Sequence, residues 1–272
     1  MSNSKISFIV ADCLFQIKLA EENLSLQLQK FFLLPNKIIK TPDYVIEITH
    51  SQTDKCWVDK GSENRFILYL SNKNYSLYYV FFMIRSFISI LLLNKNIFLF
   101  HASSFVKNNK AYLFAGQSGQ GKSTIVTRAP LIDRLGDDTS VVSFNKGRIF
   151  IHTSPFDNLK MSKLIYKKAP LGSFFLLHHS NKDSIKKLGL LPSLNALIKN
   201  NYFYLYIYPR SAYRTIDDMK KNGIKADMLY YKNNFIPKKL FKIFYARTIF
   251  LHTLIRVKCL SFTSNCTFIP NL

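Results

Sequence analysis

A chain of 272 residues, 48% hydrophobic and 20% charged, has the length for one large domain or one domain with an appended part, and too much apolar content for disorder. Its net charge of +22, from 38 Lys and Arg against 16 Asp and Glu, points to polyanions such as nucleotides, nucleic acid, anionic lipid or an acidic peptide. Coding bias, which enriches Lys together with Asn, Ile, Phe and Tyr, is the alternative account of that charge. Cys13, Cys56, Cys259 and Cys266 lack the paired spacing of a zinc site and read as free thiols in a reducing cytosol.

In chain order, the apolar run Ile6–Val10 is broken by Asp12 and no small-residue cleavage site follows, so a signal peptide is not expected. Ile6–Val10, Tyr44–Ile48 and Phe66–Leu70 are β-branched or aromatic and predict strands, and Glu21–Phe32 predicts a helix that ends before Pro35. Residues 1–95 thus form a β-rich N-terminal part without a chemical motif, and 96–272 carry the chemistry. Leu77–Leu93 is apolar enough to raise a membrane span. It falls short of about 20 apolar residues and holds Arg85, Ser86 and Ser89, so Ser76–Leu93 is read as a buried helix and no transmembrane segment is expected.

Ile97–His101 predicts a strand, Lys107–Lys110 a polar turn and Ala111–Ala115 a second strand. Ser123–Arg128 is helix-compatible, Ser140–Phe144 and Ser173–Leu177 predict strands, and Leu191–Ile198 a helix. Pro237–Ile255 has helical spacing and Val257–Phe262 closes with a strand. Helix and strand signals are mixed, which leaves α/β and α+β both open.

Between Ala111–Ala115 and Ser123–Arg128 runs Gly116-Gln117-Ser118-Gly119-Gln120-Gly121-Lys122-Ser123, followed by Thr124, a complete G-x-x-x-x-G-K-[ST]. Glycines allow positive φ and let backbone N–H groups approach phosphate oxygens. The Lys122 ammonium can reach the β- and γ-phosphates of a nucleoside triphosphate, and the Ser123 hydroxyl can ligate Mg²⁺. Asp137 and Asp138 follow. Adjacent carboxylates suit a cation such as Mg²⁺ and leave one free to take a proton from an attacking hydroxyl; Gly-Asp-Asp is also an ordinary turn composition. His101, at the end of its strand, is either a packed histidine or a catalytic one.

Taken together, Phe100-His101-Ala102-Ser103, the Ala111–Thr124 segment and Gly136-Asp137-Asp138 resemble the HPr kinase/phosphorylase C-terminal domain and the shorter HPr-kinase-like proteins of peptide-modification clusters. Ser154-Pro155-Phe156 and Ala169–Leu177 extend the likeness weakly. The resemblance implies a P-loop kinase core related to phosphoenolpyruvate carboxykinase. It implies Asp137 as the base toward the acceptor hydroxyl, Asp138 as support for the metal or a basic partner, and His101 near the transferred phosphoryl group. The glycine-rich segment that holds HPr is missing, so HPr itself is a poor acceptor. Relatives carry an acidic residue after Thr-Pro; here the segment reads Thr153-Ser154-Pro155-Phe156-Asp157-Asn158, which leaves open whether Asp157 replaces that second metal ligand, and Pro130 shortens the helix after the loop.

The expected function is a cytoplasmic, ATP- and Mg²⁺-dependent serine kinase acting on a peptide or small protein, an acidic one by charge complementarity to +22. The alternatives are a nucleotide-binding regulatory protein whose activity has decayed, and a kinase of a small-molecule hydroxyl. Nucleic-acid binding rests on charge alone, without the ordered aromatic and basic alternation of RNA-binding folds. Homo-oligomerisation is left open.

Overall fold

The first two strands, β1 (Ser4–Val10) and β2 (Cys13–Leu19), pair in register from Ser4↔Leu19 to Val10↔Cys13 around Ala11 and Asp12, both at positive φ. Helix α1 (Glu22–Gln29) follows, then β3 (Tyr44–His50), β4 (Trp57–Ser62) and β5 (Arg65–Leu70). These strands form a five-stranded sheet of order β1-β2-β3-β5-β4, in which β2, β3 and β5 run parallel. The computed structural model describes residues 4–32, 34–35, 40–53, 56–71, 76–156, 167–200 and 226–231. The expected helix Pro237–Ile255, the strand Val257–Phe262, and Asp157, Cys259 and Cys266 lie outside the described residues.

Helix α2 (Leu77–Leu93) begins where Ser76 accepts a hydrogen bond from the Tyr79 N–H at 3.3 Å, an N-cap that supplies one orphan donor with a partner. Its buried positions Val80, Ile84, Ile88 and Leu92 repeat every four residues, with Phe81, Arg85 and Ser89 beside them. That stripe packs with Ile6, Phe8, Phe15 and Ile46 of the first sheet and with Ile97, Leu99, Val141 and Phe156 beyond it, so one core joins the N-terminal layer to the rest. Among the described residues no helix is long and apolar enough to cross a membrane.

The second sheet has eight strands: β6 (Ile97–Lys107), β7 (Lys110–Ala115), β8 (Arg134–Gly136), β9 (Thr139–Asn145), β10 (Arg148–His152), β11 (Lys168–His179), β12 (Ser184–Lys187) and β13 (Ala226–Tyr231). The path is β10-β9-β6-β7-β11-β13-β12, and β10 also pairs with β11, so five of the strands close into a ring. Asn108 and Asn109 make the β6–β7 turn at positive φ, as the polar Lys107–Lys110 stretch predicts. Two further helices complete the described chain, α3 (Lys122–Thr127) and α4 (Leu190–Lys199). The chain is therefore a mixed α/β protein with two sheets and few helices among the described residues.

Candidate functional site

The register of β6 decides which residues meet. One stretch of β6 pairs with β9, placing His101 opposite Thr139, the residue after Asp138. The next residue, Ala102, pairs with Ala115, the last residue of β7 before the glycine-rich loop. Asp137 and Asp138 form the bend between β8 and β9, both of which pair with β6. Ser140 secures the crossing, donating its hydroxyl to the Ala102 carbonyl at 2.9 Å. The histidine, the carboxylate pair and the loop are thus brought together by strand register.

The loop Gly116–Gly121 joins β7 to α3. Gly119 and Gly121 hold φ of +81° and +70°, the left-handed region in which a side chain is strained. At Gly116 an added Cβ would collide with the Gln120 side-chain oxygen, which accepts the Gln117 N–H at 2.9 Å. Lys122 is buried and donates its ammonium to the carbonyls of Gly116 and Gln117 at 2.9 and 3.2 Å, curling the loop around its own charge. Burial lowers the Lys122 pKa, while Asp138 and Asp137 pull it up. Ser118 and Gly119 are exposed on the loop, and Thr124 on α3. Helix α3 is short, as Pro130 predicts, and Arg134 receives its end by donating to the carbonyls of Thr127 and Ala129.

The Ser123 hydroxyl stands beside Asp137 and favours its ionised form. Burial raises the Asp137 carboxyl above the usual carboxylate range; the Ser123 hydroxyl opposes this and the neighbouring Asp138 adds to it. Asp138 has a different environment. One of its oxygens lies 3.1 Å from His101 Nε2 and the other 3.3 Å from Arg85 Nη1. The two adjacent carboxylates are therefore divided, Asp137 toward the loop serine and Asp138 toward a histidine and an arginine.

Fit to a divalent cation rests on this donor set. Mg²⁺ prefers oxygen and is commonly held through one or two carboxylates together with substrate phosphates. A hydroxyl beside a half-buried carboxylate, Ser123 with Asp137, suits it. Asp138 already directs its two oxygens at His101 and Arg85. Among the described residues no cluster of three or more His, Cys, Asp or Glu forms a metal cage without a substrate.

Next to the loop lies a cavity of about 510 Å³, lined by His101, Gln117, Ser118, His178, Asn195 and Lys199 among others. Helix α4 covers it, and the His101 N–H donates to the Asn200 carbonyl at 2.6 Å just past that helix. Two residues that sequence reasoning does not single out buttress the loop. The Tyr231 hydroxyl donates to the Gln120 carbonyl, and His179 Nε2 lies 3.3 Å from the Gly119 carbonyl. They are register partners on β13 and β11, parallel strands that end beside the loop. Arg85 is the third such residue; its one sequence signal is a charge inside an apolar helix.

The fold and site thus define a mixed α/β protein in which a strand, a glycine-rich loop and a helix meet a carboxylate pair and a histidine. No family model matches the chain, and no curated protein matches it. Among solved structures it is similar to the HPr(Ser) kinase/phosphatase from Coxiella burnetii, at 10% identity and a TM-score of 0.34, over 57% of this chain and 98% of that one. A likeness of that size settles neither fold nor activity.

Proposed function

We propose that the chain is an ATP-dependent serine kinase of the HPr-kinase-like type, with residues 96–272 as its kinase domain and 1–95 as a β-rich part packed on it. The observation that carries this reading is the convergence of Lys122, the neighbouring Ser123 and Asp137, and the Asp138–His101 pair at one loop. Gly116–Thr124 wrap the phosphates with backbone N–H groups, and Lys122 leaves the loop carbonyls for the β- and γ-phosphate oxygens. Ser123 would hold Mg²⁺ through its hydroxyl oxygen with its own proton turned toward the ionised Asp137, and the charge of Asp138 would support the cation. Mg²⁺ supplies neutralisation of the charge on the transferred group.

In the transfer step, the acceptor oxygen forms a bond to the γ-phosphorus as the bond from that phosphorus to the β,γ-bridging oxygen breaks, releasing ADP. The acceptor proton passes to Asp137, whose raised pKa suits a base. His101 lines the cavity beside the loop, where it can contact the transferred group. The use of ATP places the enzyme in the cytoplasm, and the charge of +22 favours an acidic peptide or small protein as acceptor.

The volume of the cavity beside the loop favours a second reading, a small-molecule hydroxyl as acceptor, because cavities of roughly 300–1,000 Å³ take compounds of that size. Incubation with γ-labelled ATP, Mg²⁺ and candidate serine peptides tests the first reading against the second. Label on a peptide serine supports the peptide kinase, and label on a small hydroxyl compound alone supports the second. Binding of ATP without transfer to any acceptor tried would favour a decayed, nucleotide-binding regulator.

A further inference from the structure

Arg85 lies in the buried stripe of α2, between Phe81 and Ser89, with 4% of its surface exposed. A guanidinium taken that far from water is strongly destabilising unless it is paired and hydrogen-bonded. Its Nη1 donates to the Thr139 hydroxyl at 3.0 Å and to Asp138 at 3.3 Å. The rings of Phe81 and Phe82 lie 5.4 and 5.8 Å from its central carbon, within cation–π range. Because Asp138 gives its other oxygen to His101, a continuous polar chain runs from α2 through the carboxylate to the histidine.

The direction of dependence follows from burial. The Asp138 side chain is 53% exposed and sits in a two-residue bend, while that of Arg85 is 5% exposed and set in packed aromatic surroundings. The fixed member of the pair is the arginine. Thr139, its other acceptor, is fully buried and is the register partner of His101. Arg85 therefore holds both the carboxylate that contacts His101 and the strand position opposite it.

We propose that Arg85 is a positioning residue of the phosphotransfer site: by holding Asp138 it sets the orientation of His101, and through it the N-terminal layer completes the site. The inference rests on the kinase reading for its effect on turnover, though not for its effect on the histidine. Arginine suits the task because its guanidinium stays charged when buried, whereas a buried lysine ammonium readily loses its proton.

The test uses the full chain, with ring-¹⁵N-labelled histidine and with variants Arg85→Met, which keeps an apolar stem, and Arg85→Lys, which keeps an N–H donor. In Arg85→Met the His101 ring resonances move while those of His50 and His152 stay in place, and Arg85→Lys gives a smaller displacement. Turnover of Mg·ATP falls about 10- to 100-fold in Arg85→Met, the scale for groups that orient a contacting residue, with KM for ATP unchanged. Arg85→Met combined with His101→Asn is no slower than His101→Asn alone, because the two act as a unit. Unmoved His101 resonances, or penalties that multiply in the double variant, overturn the proposal. If Arg85→Met fails to fold, the His101 resonances of Arg85→Lys decide in the same way. Displaced resonances in a protein whose wild type transfers no phosphate would uphold the positioning role and sink the kinase reading.

Discussion

The hydroxyl of Tyr231 donates to the main-chain carbonyl of Gln120, 111 positions earlier in the chain, and so ties the last described strand to the glycine-rich loop. A net hydrogen bond is worth about 0.5–1.5 kcal/mol, and an orphaned acceptor beneath a loop adds to the loss. Tyr231→Phe removes the donor and keeps the ring. It should weaken Mg·ATP binding by about three- to tenfold in calorimetry, with little change in melting temperature. Unchanged affinity would show that Tyr231 packs against the loop without shaping it.

The same contact separates two glycines. Gly119 and Gly121 both have positive φ, so alanine at either carries backbone strain of about 1–2 kcal/mol. A Cβ at Gly119 meets nothing within 4 Å, whereas one at Gly121 lies 2.5 Å from the Tyr231 hydroxyl. Gly121→Ala should therefore lose more nucleotide affinity than Gly119→Ala, and the gap should narrow in a Tyr231→Phe background. Equal losses in both backgrounds would remove the Tyr231 contact as the cause.

Much of this region is legible in sequence because its signals are local. The loop motif, the Asn108-Asn109 turn and the Ser76 cap each lie within a few residues of what they determine. Strand β2 is not legible, since its hairpin turns on Ala11-Asp12, a pair without the glycine or asparagine that usually marks positive φ. Strand β12 has four residues, too few for periodicity to show. The role of Arg85 is invisible for a different reason. Its acceptor stands 53 positions later, and only the folded α2–β6 packing brings the two together.

His152 makes a prediction about stability. It is buried, its Nε2 lies 2.6 Å from the Ser143 hydroxyl, and burial pushes its pKa down to about 4, with Asp12 opposing and Lys168 adding. The folded state then binds fewer protons than the unfolded chain between about pH 6.5 and about 4. Stability from this group is complete above that window and is lost as pH falls through it, on the order of 3 kcal/mol in all. His152→Gln retains a polar group near Ser143 without titrating. The urea midpoint should drop less from pH 7.5 to pH 5 in this variant than in wild type, and equal drops would contradict the assignment.

Asp137 has the opposite sign. Burial raises its folded pKa, so the folded state binds more protons than the unfolded chain, and stability falls as pH rises from the unfolded to the folded value. Above that window the buried charge is a standing cost to the protein without nucleotide. Asp137→Asn removes it and should raise the melting temperature at pH 7.5, an effect that shrinks toward pH 4. A lower melting temperature in the variant at pH 7.5 would show that the carboxylate stabilises the fold.

In the proposed reaction Asp137 takes the acceptor proton while the loop binds the nucleotide, and the direct measurement is phosphotransfer beside Mg·ATP affinity in wild type and Asp137→Asn. Asparagine can still stand beside the Ser123 hydroxyl but cannot take a proton. The account predicts that transfer falls about 10²- to 10⁴-fold while the affinity for Mg·ATP is retained. Equal transfer by the two proteins would remove Asp137 from the mechanism and contradict the account.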